Sequence, residues 1–157
     1  MRSSTTPEPS NARVNADAVE AVQRALAVEH AAEWSYGVAS AFVSNGKGLV
    51  GEGMDAHRSV RNSTEQMLRD SGATPVPPQP AYRVPKPVTD AASAAALLVI
   101  AESDAAAAWR AVLEHSDDPD LRRFAVEALT SAAVLATRWR VVSGQVPHTV
   151  AFPGQSG

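Results

Sequence analysis

The sequence contains no cysteine, which removes disulfide frameworks, thiolate metal sites and thiol nucleophiles at once. Aromatic residues make up only 5% and alanine supplies about a fifth of the chain, a mixture that suits closely packed helices. The longest apolar run, Ala94 to Ala101, is too short to span a bilayer, and Met1-Arg2-Ser3-Ser4-Thr5-Thr6 lacks the apolar core of a secretion signal. Basic residues are scattered and the net charge is −3, so no stripe of Lys and Arg follows a phosphate backbone or an anionic lipid surface. Phosphate loops, nucleophile elbows and His-Glu-x-x-His zinc helices are also absent. Together these absences predict a soluble, unprocessed, cytoplasmic chain that binds neither nucleic acid nor membrane.

What is present fits one domain. A chain of 157 residues, 45% hydrophobic, buries enough surface to need no covalent staple. Residues 1–13 mix Ser, Thr, Pro and Asn without apolar periodicity and read as a disordered lead. A bundle over 14–144 follows, then a tail over 145–157 docked by Val150 and Phe152. Helix 1 starts from an Asn15 cap with Val14 and Val19 as a hydrophobic staple and runs to about Ser44, before Asn45-Gly46. Helix 2 starts weakly among Gly48, Gly51 and Gly53 and ends near Ser71, with Gly72 as its cap.

Residues 73–90 carry Pro75, Pro77, Pro78, Pro80, Pro85 and Pro87 and cannot be helical. In polyproline geometry this strap reaches roughly 50 Å, against roughly 36 Å for a helix of 24 residues, so it can cross the bundle and leave helices 2 and 3 parallel. Helix 3 follows a Thr89 or Asp90 cap and runs to about Glu114. Helix 4 opens at Asp118-Pro119 and closes at Ser143-Gly144, with an inward set from Leu121 to Val142. The order short loop, long crossover, short loop predicts an all-α, ferritin-like four-helix bundle with a long Pro-rich crossover between helices 2 and 3.

The apolar stripe of helix 1 is Val19, Val22, Leu26, Glu29, Glu33, Tyr36, Ser40 and Val43, interrupted at its middle by two acids and a phenol. Helix 2 brings His57 with Arg61 to the same level. Helix 3 brings Glu102 among Leu98, Ala105, Trp109 and Val112, and helix 4 brings Glu127 with Arg138 and Arg140. A buried carboxylate costs several kcal/mol unless paired, so these acids need counter-groups. One solution is an internal network in which Arg61, Arg138, Arg140 and His57 satisfy Glu29, Glu33, Glu102 and Glu127, with Tyr36 beside them. The alternative is a pair of iron or manganese ions on Glu29, Glu33, His57, Glu102 and Glu127, but Met54 stands three residues before His57 and Thr130 three after Glu127. Both Glu-x-x-His motifs of a di-metal bundle are therefore incomplete. His30, His115 and His148 are expected in solvent.

The run Ala27-Val28-Glu29-His30-Ala31-Ala32-Glu33-Trp34-Ser35-Tyr36-Gly37, followed by Ala56-His57-Arg58, Pro80-Ala81-Tyr82, Pro87-Val88-Thr89-Asp90, Ala107-Ala108-Trp109, Arg138-Trp139-Arg140 and Ala151-Phe152-Pro153-Gly154, resembles an actinobacterial ferritin-like family catalogued as a domain of unknown function. The resemblance spans roughly 17–154. It implies the bundle and brings no assigned activity; iron or manganese binding belongs to the wider superfamily.

Two functions follow as expectations. The first is a non-enzymatic bundle without cofactor, forming a homo-oligomer, a dimer by preference, through an apolar surface of helix 3. The second is a metal-dependent oxidase or iron-handling protein using the five residues named above. A small-molecule pocket between the Ala-rich helices is a third, general to bundles.

Overall fold

The computed structural model describes residues 9–44 and 47–155. Four helices make up the frame: α1 Pro9–Ala39, α2 Lys47–Asp70, α3 Ala91–His115 and α4 Pro119–Ser143. No strand occurs among the described residues. The all-α bundle with one long crossover is thus as the sequence predicts.

Helix ends follow local chemistry. Asp90 caps α3: its Oδ1 accepts from the Ser93 N–H at 2.7 Å, and Ser93 Oγ accepts from the Asp90 N–H at 3.1 Å, a reciprocal pair that satisfies two end groups. Asp118 and Pro119 open α4, and Gly144 closes it with φ of +72°. Gly72, φ +83°, ends α2, where the Ala73 N–H returns to the Leu68 carbonyl. Helix 1 departs from expectation at both ends. Its described part runs from Pro9, so Asn15 lies within the helix and not at its start. It stops at Ala39 rather than near Ser44; most of the lead, and Asn45-Gly46, lie outside the described residues.

Two apolar cores lie at opposite ends of the bundle. One joins Tyr36, Ala39, Val50, Ala95, Leu98, Leu135 and Trp139; the other joins Val22, Leu26, Leu68, Trp109, Val112 and Ala125. Each core takes the end of α1 and α4 opposite to the end it takes of α2 and α3, so α2 and α3 are parallel to each other and antiparallel to the other two. Helix pairs in contact are α1·α2, α1·α3, α3·α4 and, most lightly, α2·α4. Helices 2 and 3 are therefore diagonal. The Pro-rich strap makes that diagonal possible by running along α1: Gln23 holds the Thr74 carbonyl at 2.7 Å and the Val76 N–H at 2.9 Å. Further along, Trp34 meets Tyr82 with ring centroids 5.9 Å apart.

Helix 3 has apolar residues on more than one side and is buried over most of its faces between Ala94 and Val112, with Ile100, Asp104 and Ala107 left exposed. Taken whole it is long and apolar enough to cross a membrane, although the Ala94–Ala101 run alone is not; here it packs between α1 and α4. Its second side faces the strap across a small cavity at Tyr82 and Pro85, meets the C-terminal tail at Gly154, and leaves Ile100 exposed. The expected docking of the tail by side chains is corrected: Phe152 is 69% exposed. Contact instead comes through Gly154, φ +83°, where an added Cβ would lie 2.8 Å from the Ala106 carbonyl oxygen. Val142, expected inward, is exposed, because the core on α4 ends with Trp139.

Candidate functional site

Between the two cores lies one continuous polar chain drawn from all four helices. The Trp139 indole N–H donates to Tyr36 Oη at 2.7 Å, and the Tyr36 hydroxyl donates to Glu102 Oε1 at 2.5 Å. His57 stands between the acids, with Nε2 2.9 Å from Glu102 Oε1 and Nδ1 2.6 Å from Glu29 Oε2. The chain ends at the Trp109 N–H, which donates to Glu29 Oε1 at 2.7 Å. Glu102 is 0%, Glu29 2% and His57 4% exposed. Side chains of this length are what bridge the α2–α3 diagonal, across which the backbones do not meet.

Electrostatics fix the proton positions. Burial by itself would lower the His57 pKa, but hydrogen bonds and charge from Glu102 and Glu29 more than offset it, and the pKa is pushed up to about 10. The ring is an imidazolium donating from both nitrogens. Burial, and then the charge and hydrogen bond of Glu102, push the Tyr36 phenol far above its ordinary range, so it stays a donor. Glu102 Oε2 is buried and has no hydrogen-bond partner among the described residues.

The structure brings together Glu29, Tyr36, His57 and Glu102 of the residues singled out in the sequence. Glu33 and Arg61 sit at the rim, paired at 2.8 Å and about one-quarter exposed or less; Arg58 joins Glu33 at 3.5 Å. Two residues fall outside. Glu127 is exposed, because the inward line of α4 runs through Ala125, Ala128 and Ala132, which turns position 127 to solvent. Arg138 is also exposed and pairs with Glu52 at 2.5 Å; its neighbour Trp139 takes the inward place. The buried pair Glu29 and Glu102 is thus answered by one imidazolium, the Tyr36 phenol and the Trp109 indole, with the Trp139 indole behind the phenol, while the guanidinium groups of Arg61 and Arg58 serve Glu33 at the rim. Neutral donors bring a smaller desolvation penalty into a core than Arg does. The signal for them was in the sequence: two inward Trp N–H groups each require an acceptor.

His30, expected in solvent, is buried, with Nε2 3.1 Å from the Val76 carbonyl oxygen. It fastens the strap to α1.

The donor set does not fit a metal. A shared ion needs lone pairs converging on one point, whereas the two ring nitrogens of His57 point apart and each meets a carboxylate. Among the described residues no group of three or more His, Asp or Glu converges in this way. Thr130 turns back to the Val126 carbonyl, and Met54 packs against the first core.

Gly53 of α2 makes room for this chain. A Cβ there would lie 2.2–2.3 Å from the Tyr36 ring and hydroxyl, and that ring is held by Trp139 and Glu102. Gly53→Ala gains about 1 kcal/mol of helix propensity, but overpacking typically costs about 1–3 kcal/mol and more where the neighbour is pinned. The expected result is a net loss near ~2 kcal/mol, read from urea midpoints; stability equal to the parent would show that the Tyr36 ring moves freely.

Comparison with known proteins agrees with this architecture. The crystal structure of a conserved hypothetical protein, rv2844, from Mycobacterium tuberculosis superposes with a TM-score of 0.81 at 43% identity, covering 89% of this chain and 99% of that one. No curated protein matches. The sequence pattern of the family described as Domain of unknown function (DUF4439) matches residues 21–157, a span that holds all four helices except the start of α1 and the whole polar chain. The protein therefore belongs to the DUF4439 family, consistent with the actinobacterial resemblance of its motifs.

Proposed function

We propose that this protein is a non-enzymatic bundle of ferritin-like connectivity, whose Glu29–His57–Glu102 chain fixes helix register and which associates with a second copy of itself. One observation carries the reading: both imidazole nitrogens and three of the four carboxylate oxygens are engaged inside the protein. A general base needs a free lone pair within reach of substrate, and a metal needs several that converge. Polar residues that specify one alignment among the many open to an Ala-rich core are an attested use of buried charge.

The surface that supports self-association lies on α4. The outward line Val126, Thr130 and Val134 is uncharged and leads to Arg138 and then Val141, and Val126, Val134 and Val141 are each about half exposed. Beside it a groove of about 450 Å³ runs between α4 and Val150 and Pro153 of the tail. Contiguous apolar surface of this kind marks interaction sites.

Anaerobic ferrous loading followed by elemental analysis and light scattering tests both halves. Less than about a tenth of an equivalent of iron per chain is expected if no site of micromolar affinity exists, together with a dimer mass. Stoichiometric iron would replace the reading with an iron-handling one, and a monomer at high concentration would remove the association.

A further inference from the structure

The fourth carboxylate oxygen leads to a different site. Glu102 contributes to the wall of a groove-like cavity of about 310 Å³ between α3, α4 and the tail from Val150 to Gln155. This is the small end of the range for ligand pockets. Glu102 is fully buried, its Oε1 already accepts from Tyr36 and His57, and its Oε2 has no partner among the described residues. With His57 protonated, the Glu29–His57–Glu102 chain sums to one negative charge. An unpaired buried carboxylate oxygen calls for a donor, best a cationic one.

The same cavity holds the opposite need. Arg140 lines it, reaches Ser103 Oγ only at 3.4 Å and pairs with no carboxylate among the described residues. The remaining wall is apolar, from Ala106, Ala133, Ala136 and Phe152. The tail forms one wall of the cavity and rests on α3 at Gly154, and because Glu102 Oε2 has no accessible surface a ligand reaches it only when that wall shifts.

We propose that this cavity binds a small zwitterion, with an amine donating to Glu102 Oε2, a carboxylate received by Arg140 and Ser103, and a short apolar body against the alanines. The pocket presents one unmet acceptor and one unmet cation. A ligand with a single charge satisfies only one of them.

The test uses the full-length, 15N-labelled protein and two-dimensional amide spectra. The zwitterionic probes are 4-aminobutanoate, 6-aminohexanoate and L-phenylalanine; n-hexylamine and hexanoate carry one charge each. At least one zwitterion is expected to shift the Ser103, Ala106 and Ala133 signals saturably, and each single-charge probe to bind at least about tenfold more weakly, the worth of one charged hydrogen bond. Glu102→Gln removes the amine preference but disturbs the core, so Arg140→Gln is the second variant. It is expected to keep a native spectrum and to bind the zwitterion no better than n-hexylamine. The proposal is overturned if no zwitterion moves these signals up to about 10 mM, a concentration well above the weakest specific affinity considered. It is also overturned if n-hexylamine binds the parent equally well, or if Arg140→Gln binds the zwitterion undiminished.

Discussion

Replacing His57 with leucine is expected to cost about 3–5 kcal/mol, the penalty for leaving a buried charge without its partner. Two carboxylates, Glu29 and Glu102, lose the same counter-charge together, and each keeps only neutral donors: Trp109 for the first, Tyr36 for the second. A domain of this kind is stable by about 5–15 kcal/mol, so a large share would be lost. Helix 2 is the element at risk. It packs on α1 and only lightly on α4, and His57 is its link across the diagonal to α3. Hydrogen exchange should therefore show α2 opening first, and urea melts should show the loss. A companion variant with Glu29→Met and Glu102→Met added to His57→Leu is expected to recover most of it, because a well-packed apolar replacement removes the uncompensated charges. If His57→Leu lowers stability by less than about 1 kcal/mol, the value of an ordinary surface change, the network is not what holds α2.

Raising the pH is expected to weaken the fold through the same residue. The folded His57 pKa is raised, from 6.5 to about 10. Its contribution is therefore fully present below about pH 6.5 and is lost as pH climbs through about 10. Between those limits the folded state holds one proton more than the unfolded chain, so stability falls by up to about 1.4 kcal/mol per pH unit. Urea midpoints at unit intervals from pH 6 to pH 10 measure this slope. No cysteine titrates in that window. His57→Leu should flatten the curve; an equal slope in that variant would assign the proton elsewhere.

Much of this was legible in the chain itself. Capping pairs such as Asp118-Pro119 and turn glycines such as Gly72 and Gly144 act through neighbouring backbone groups, so local sequence marks α2, α3 and α4 to within a residue or two. The six prolines of the strap forbid helix outright, and that prohibition dictates the long crossover. Glu29, Tyr36, His57 and Glu102 were readable because each breaks an apolar stripe at helical spacing.

The partners of those residues were readable only in part: His57 and Arg61 do meet acids, while Glu127, Arg138 and Arg140 do not enter the network. Glu127 and Arg138 lie one position from the inward line of α4, and on a helix one position is a rotation of about 100°, enough to exchange Arg138 for Trp139 as the group that enters the core. Donor identity across the bundle depends on how four helices are rotated and staggered, and no local pattern encodes that. Sequence alone therefore determined the bundle and its crossover and singled out Glu29, His57 and Glu102, though not which of the four acids would be central. Tertiary structure alone decided that Trp109 and Tyr36 join His57 in answering Glu29 and Glu102, that Glu127 and Arg138 face solvent, and that a single carboxylate oxygen is left over, because each depends on distances between residues far apart in the chain.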